Sequence, residues 1–345
     1  EASELVHSRN RIGERGIELI LKESIRVNGN DSNDSTASID TTVQEKNITF
    51  PTDSKLHRKI IDKCRNIAEK ENLPVRQSYT RTLKKLSLDQ RFRNHPRNKW
   101  KARKADRKEK TIAGRLVREL ERNLSPDSRY QSDIDLFKRI LNQKKSDKNK
   151  IYSVHEPDVQ CISKGKEHKK YEFGNKVSII YTQTTGVIIG ALGFRNPYDG
   201  HTIEPALEQT ERLLGKRTLK TLIGDRGYKG KRQINDTTIE IPKPFNNRKQ
   251  SQYQQNKLKK QFRKRAAIEP INGHLKTDHR LNRNFYKGIT GDNINVMLAA
   301  AAFNFKRMMN KWKSSFGLEF KIQIVDLIKA MFYQINNNII RKWAF

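Results

Sequence analysis

A short β-patterned segment, Ser38-Ile39-Asp40-Thr41-Thr42-Val43-Gln44, is followed not by a second strand but by a helical run over residues 52–150. Strand patterning returns only at Lys170, so any fold for this chain must leave a sheet after one strand and come back to it. Within the helical run, Leu56, Ile60, Cys64, Ile67 and Ala68 form one apolar stripe. Ile112, Leu116, Leu120 and Leu124 form a second, and Ile134, Phe137 and Leu141 a third, with Pro74, Pro96 and Pro126 between helices. The returning strands are Tyr171 to Ile180 and Val187 to Phe194, joined at Gln183-Thr184-Thr185-Gly186 as a hairpin. A helix over 202–215 turns Ile203, Leu207 and Leu214 inward. A strand from Leu219 to Ile223 then ends in Gly224-Asp225-Arg226-Gly227-Tyr228. Lys231 to Asn235 reads as a helical turn, Thr238 to Pro242 as a last strand, and a helical run opens near Gln252. The fold class is α/β: a mixed sheet flanked by helices, with a large helical insertion after the first strand.

Two aspartates stand out against that pattern. Asp is disfavoured inside a strand, so Asp40 is either an edge or strand-end residue or a carboxylate aimed into a site from a central strand. Asp225 follows the carboxyl end of a strand, where α/β sheets bind their ligands, and Gly224 and Gly227 let the chain turn there. A third acid lies in Arg265-Ala-Ala-Ile-Glu269-Pro-Ile-Asn272-Gly-His-Leu-Lys276. Arg265, Glu269, Asn272 and Lys276 are spaced i, i+4, i+7 and i+11 and share one helix face, while Ile268, Ile271 and Leu275 share another. A carboxylate between two cations suits a divalent metal with phosphate gripped around it. The bland alternative is a solvated salt-bridge helix, against which Pro270, expected to kink the helix beside Glu269, counts.

Charge narrows the partner. The chain has 71 Lys+Arg against 38 Asp+Glu, a net charge of +33, which points to a polyanion and first of all to nucleic acid. Arg91 to Lys110 is especially dense in cations, with Phe92 and Trp100 interleaved, and reads either as a solvated face or as a phosphate-tracking surface. No apolar run is long enough to span a membrane, and Cys64 and Cys161 give no disulfide framework, which fits a reducing cytosol. Residues 4–28 read as an amphipathic helix left from a larger N-terminal helical domain, and 29–37 as a polar linker; the chain starts without methionine, as after an N-terminal truncation. Residues 291–312 form a helix rich in small residues. The tail over 314–345 carries a stripe of Ile324, Leu327, Ile328 and Met331.

The order of elements resembles the ribonuclease H-like fold. Ile39-Asp40-Thr41-Thr42, Tyr171-Glu172-Phe173-Gly174-Asn175-Lys176-Val177, Gly224-Asp225-Arg226-Gly227-Tyr228 and Arg265…Glu269-Pro270…Gly273-His274…Lys276 together resemble a bacterial insertion-sequence transposase of the DDE class, in the IS5 family. The resemblance covers about Glu4 to Lys313 and implies a catalytic domain over 38–313, with the basic insertion inside it. It implies a catalytic and metal-binding triad of Asp40, Asp225 and Glu269, and DNA contacts from Arg265, Lys276, Asn272, Tyr228 and Arg226. The family's tyrosine ahead of Arg265 is here Phe262. Two Mg²⁺ (or Mn²⁺) ions would serve cleavage at the element's terminal inverted repeats and strand transfer into target DNA, in a homodimeric synaptic complex, in a cytoplasmic protein that joins the nucleoid when bound to DNA.

Asp158, in His155-Glu156-Pro157-Asp158, is a rival first acid, closer in sequence to Asp225 but ahead of a Lys-Gly-Lys loop rather than in a β-rich run. His155, Asp158 and Cys161 suggest zinc only weakly, having no second Cys or His at ligand spacing. A decayed, non-catalytic DNA-binding descendant of a transposase remains an alternative, and an RNA-binding protein would explain the charge but not the acids.

Overall fold

The computed structural model describes residues 2–163, 169–215, 219–242 and 251–315; the apolar stripe expected at Ile324 to Met331 and the Lys-Gly-Lys loop lie outside them. The chain opens with helix α1 (Ala2–Arg26) and strand β1 (Thr36–Glu45). Four helices follow, α2 (Asp53–Lys70), α3 (Thr80–Asp89), α4 (Lys99–Asn123) and α5 (Gln131–Asn142). Strands β2 (Gln160–Ser163), β3 (Tyr171–Thr182) and β4 (Ile188–Phe194) lead to helix α6 (Ile203–Leu214). Strands β5 (Thr221–Ile223), β6 (Gln233–Ile234) and β7 (Thr237–Glu240) come next, then helices α7 (Gln252–Arg265), α8 (Ile268–Thr277) and α9 (Gly288–Ser315).

The strands make one mixed sheet in the order β3-β1-β5-β7-β6, with β2 and β4 on the far side of β3. β1 is parallel to β5 and β5 to β7, whereas β4 is antiparallel to β3. Hydrogen bonds from Gln183 N to Thr36 O and from Lys46 N to Phe173 O, at opposite ends of the pair, make β3 antiparallel to β1. A mixed sheet with this order, flanked by helices, is a ribonuclease H-like arrangement. Contacts divide the chain into two compact units.

The first unit contains, of the described residues, 2–42, 176–282 and 290–315. Its core joins Ile39, Ile179 and Leu222 of the sheet to Ala206 and Leu207 of α6 and to Val296 and Ala300 of α9. β1 departs from the alternation expected of it: Ala37, Ser38 and Ile39 are buried in succession, as befits a central strand covered on both faces. α1 also departs from expectation. It is not separate from the sheet: Ile17, Leu21 and Ile25 lie in this core, and the helix packs against α6. The segment read as a linker is tied down as well, since it holds a 3₁₀ turn (Gly29–Ser32) and the start of β1. Asp34 accepts hydrogen bonds from Thr36 N at 3.1 Å and Thr184 N at 2.8 Å. Lys231 to Asn235 is not a helical turn; Gln233 and Ile234 pair with β7, a strand too short to show a period.

The second unit contains 43–175, less the undescribed 164–168, and 283–289. Here the three stripes read from the sequence meet: Ile60, Cys64, Ile112, Leu116, Ile134 and Phe137 share one core. Phe137 is fully buried, so Phe137→Ala should destabilise this unit by about 3–5 kcal/mol, seen as a lower unfolding midpoint. On α4, Ala102, Ala105 and Glu109 face inward while Lys101, Arg103, Lys104, Arg107 and Lys108 are exposed. Glu109 is an acid buried in a basic run, and its carboxylate is met by Arg58, by Ser54 Oγ at 2.6 Å and by Gln90 Nε2 at 2.8 Å. A buried carboxylate without such partners would be strongly destabilising. Gly174 has a packing reason: a Cβ there would stand 2.0 Å from Gln44 O, where β3 approaches β1.

Candidate active site

The parallel pairing of β1 with β5 sets Ser38 opposite Ile223, and the chain runs two residues on from each to Asp40 and Asp225. Two carboxylates separated by nearly two hundred residues of sequence thus follow the same rung of neighbouring strands. Both are half-buried. Asp40 is held from the helical side, with Arg265 Nη1 3.5 Å from Oδ1 and Asn272 Nδ2 donating to Oδ2 at 3.1 Å. Tyr181, fully buried on β3, donates to Arg265 O at 2.9 Å and so fixes the end of α7 beside this site. Burial pushes the Tyr181 phenol up to about 12, with the Asp40 charge adding to the rise and Ser38 and Arg265 opposing it.

Asp225 caps its own turn, its Oδ1 accepting from Gly227 N at 2.7 Å. Across Gly227 lies an acid that sequence reasoning missed. Asp199 opens a 3₁₀ turn before α6, and its Oδ1 accepts from Lys176 Nζ at 2.9 Å and Thr41 Oγ1 at 3.1 Å. A Cβ on Gly227 would fall 2.9 Å from Asp225 Oδ1 and 3.2 Å from Asp199 Oδ2, so only glycine leaves the space between these carboxylates open. Lys176 also donates to Pro197 O at 2.8 Å, so the lysine of the Tyr171–Val177 motif serves to hold Asp199. The available signal was weak: an Asp after a strand, in a Pro- and Gly-containing loop.

Tyr228 does not fit its expected role as a DNA contact, because it is fully buried. Burial first, then the charges of Asp40, Asp199 and Asp225, raise its phenol well above the ordinary tyrosine range. Arg226, two residues earlier, is exposed.

The helical signature also folds differently from expectation. The break comes at Ala266 and Ala267, between α7 and α8, not at Pro270. Pro270 sits in the first turn of α8, where its missing N–H costs nothing because that turn's N–H groups have no partners within the helix. Glu269 lies in the same first turn and is exposed, between Arg265 and Asn272 in sequence; Ile268, Ile271 and Leu275 are buried as expected, and Lys276 is half-buried. Asp158 lies in the second unit, in an exposed turn. His155 nearby is lowered by burial and then by the charges of Lys59, Lys63 and Lys287, a setting that repels a cation.

Among the described residues no three His, Cys, Asp or Glu side chains stand close enough together to cage a metal ion. Magnesium acting on phosphates seldom uses an all-protein cage; it takes one or two carboxylates, keeps several waters and shares phosphate oxygens. The carboxylates of Asp40 and Asp225 suit that chemistry. Two buried polar atoms of the site, Tyr228 Oη and Asn272 Oδ1, have no hydrogen-bond partner, and unpaired buried groups of this kind fit a place for ion-bound water.

The family model described as "Transposase DDE domain" matches residues 144–305. The match takes in Asp199, Asp225 and Glu269 and begins after β1, so it does not include Asp40. It supports a DDE-type transposase domain over these residues. A protein of Rhizobium meliloti described as "Uncharacterized protein ORF8 in nfe locus" is 37% identical over 102 residues, which cover 28% of this chain and 49% of that protein. The chain therefore spans about half the length of the curated relative it matches. No solved structure matches it. No helix among the described residues is long and apolar enough to cross a membrane.

Proposed function

We propose that this chain is a DDE transposase of an IS5-like insertion sequence that cuts DNA at the element's ends and joins them to target DNA as a homodimer. The observation that carries this reading is the parallel rung Ser38–Ile223, from which Asp40 and Asp225 follow on neighbouring strands. With Glu269 they form the proposed carboxylate triad and would hold Mg²⁺ or Mn²⁺. A bound divalent cation would supply a Lewis acid for activating a hydroxyl nucleophile and for stabilising the leaving oxygen of a phosphodiester. The protein's own groups do the rest. Arg265 has a planar fork matched to phosphate and only a 3.5 Å contact with Asp40 to give up, so it grips a phosphate beside the scissile bond. Lys276, further along α8, adds a point charge for the same strand.

The test is incubation of the full chain with duplex DNA bearing the element's ends, with and without Mg²⁺. Metal-dependent strand cleavage is the expected result. Salt-sensitive binding without cleavage under any divalent cation would instead favour a non-catalytic DNA-binding descendant.

The exposed cations of α4 belong to the DNA-binding part of this reading. Replacing Lys101, Lys104, Arg107 and Lys108 by glutamine should flatten the log–log salt dependence of binding, by about 0.9 per lost phosphate contact. Their opposite face, with Ala102 and Ala105, carries the packing, so the unfolding midpoint should hold. An unchanged slope would mark the run as a solvated surface only.

A further inference from the structure

We infer that Tyr228 and Asn272 are positioning residues that hold the water shell of a divalent cation at Asp40 and Asp225, an inference that rests on the metal-dependent reading above. Asn272 donates through Nδ2 to Asp40 Oδ2 at 3.1 Å, which fixes the orientation of its amide. The other end of that amide, Oδ1, is buried and accepts nothing. An unpaired acceptor beside a carboxylate is complementary to a cation-bound water, which can only donate.

Tyr228 supplies the second orphan from a different element. The turn that closes with Tyr228 N donating to Asp225 O at 3.2 Å folds its ring back against Gly224, where a Cβ would meet the ring at 3.0 Å. The side chain is fully buried, and Asp40, Asp199 and Asp225 all act on its phenol. The Thr41 hydroxyl comes near enough to lower the phenol through a hydrogen-bond contact, but Thr41 donates to Asp199 Oδ1 at 3.1 Å and the contact with Tyr228 Oη lacks the geometry of a formed hydrogen bond. A tyrosine needed only for packing would gain nothing from an unpaired hydroxyl among three carboxylates, and phenylalanine would serve as well.

Manganese serves as the probe. The full chain without DNA is titrated with Mn²⁺ and followed by electron paramagnetic resonance, and water-proton relaxation reports the waters on the bound ion. Asp40→Asn and Asp225→Asn should remove the binding. Tyr228→Phe and Asn272→Leu should each weaken it about tenfold, the usual effect of losing an outer-shell partner, and should change the relaxation per bound ion. Tyr228→Phe deletes one atom that has no partner, so its unfolding midpoint without metal should not fall. Unchanged Mn²⁺ affinity and relaxation in both variants, with binding still lost in Asp40→Asn, overturns the inference and leaves the metal-dependent reading standing. Absence of Mn²⁺ binding by the unaltered chain overturns this inference, whereas the metal-dependent reading stands or falls on the cleavage assay with duplex DNA.

Discussion

Asparagine in place of Asp225 is expected to lower Mg²⁺-dependent strand cleavage by about 10³-fold or more, the scale of losing several kcal/mol of metal-borne charge stabilisation. The substitution is well controlled by local geometry. Asp225 Oδ1 accepts from Gly227 N at 2.7 Å, and the asparagine oxygen can accept the same bond, so the turn is kept while the charge is lost. The unfolding midpoint should therefore hold, and DNA affinity should be equal or slightly higher because a repulsive carboxylate has gone. Asp40→Asn should lose cleavage in the same way. Asp158→Asn should not, since Asp158 is on an exposed turn of the other unit and Asp40 follows the rung shared with β5. Single-turnover nicking of the three variants decides the matter: an inactive Asp158→Asn beside an active Asp40→Asn would transfer the role of first acid to Asp158.

What could be read from the sequence depended on whether a feature repeats. The stripes of α2, α4 and α5 repeat at helical spacing over several turns, and each of them enters the core of the second unit. The β3–β4 hairpin was legible for the same reason. β6 was misread because a strand of two residues has no period to display. α1 was legible as a helix but not as part of the core, since a stripe such as Ile17, Leu21 and Ile25 says that something is covered and not what covers it. At the candidate site, Asp40 and Asp225 are legible as candidates from their position in or after strands. Asp199 lies in a loop, and its link to Lys176 is formed only by the fold. The role of Tyr228 was misassigned because it stands among arginine, lysine and glycine, neighbours that suggest exposure; the turn at Asp225 buries it instead. Pro270 reads as a kink in the sequence because the start of α8, after Ala266 and Ala267, carries no capping signal, and no side chain caps it.

Which acid completes the site is the remaining chemical choice, and Glu269 and Asp199 make it testable because their surroundings differ. Glu269 is exposed in the first turn of α8. Glu269→Gln keeps the size of the side chain and removes its charge, so cleavage should be lost while the unfolding midpoint and DNA affinity stay close to those of the unaltered chain. Asp199 is instead committed to structure, with Lys176 Nζ at 2.9 Å and Thr41 Oγ1 at 3.1 Å on one oxygen. The Lys176 side chain is only 15% exposed, so Asp199→Asn leaves an ammonium short of its counter-charge and should cost about 1–3 kcal/mol of stability. Lys176→Met in the same chain should restore much of that loss, because the stranded charge is then gone. Cleavage by Asp199→Asn should fall only as far as its unfolding explains, and should recover in the double variant. Full cleavage by Glu269→Gln, together with an inactive but folded double variant at Asp199 and Lys176, would remove Glu269 from the triad and put Asp199 in its place.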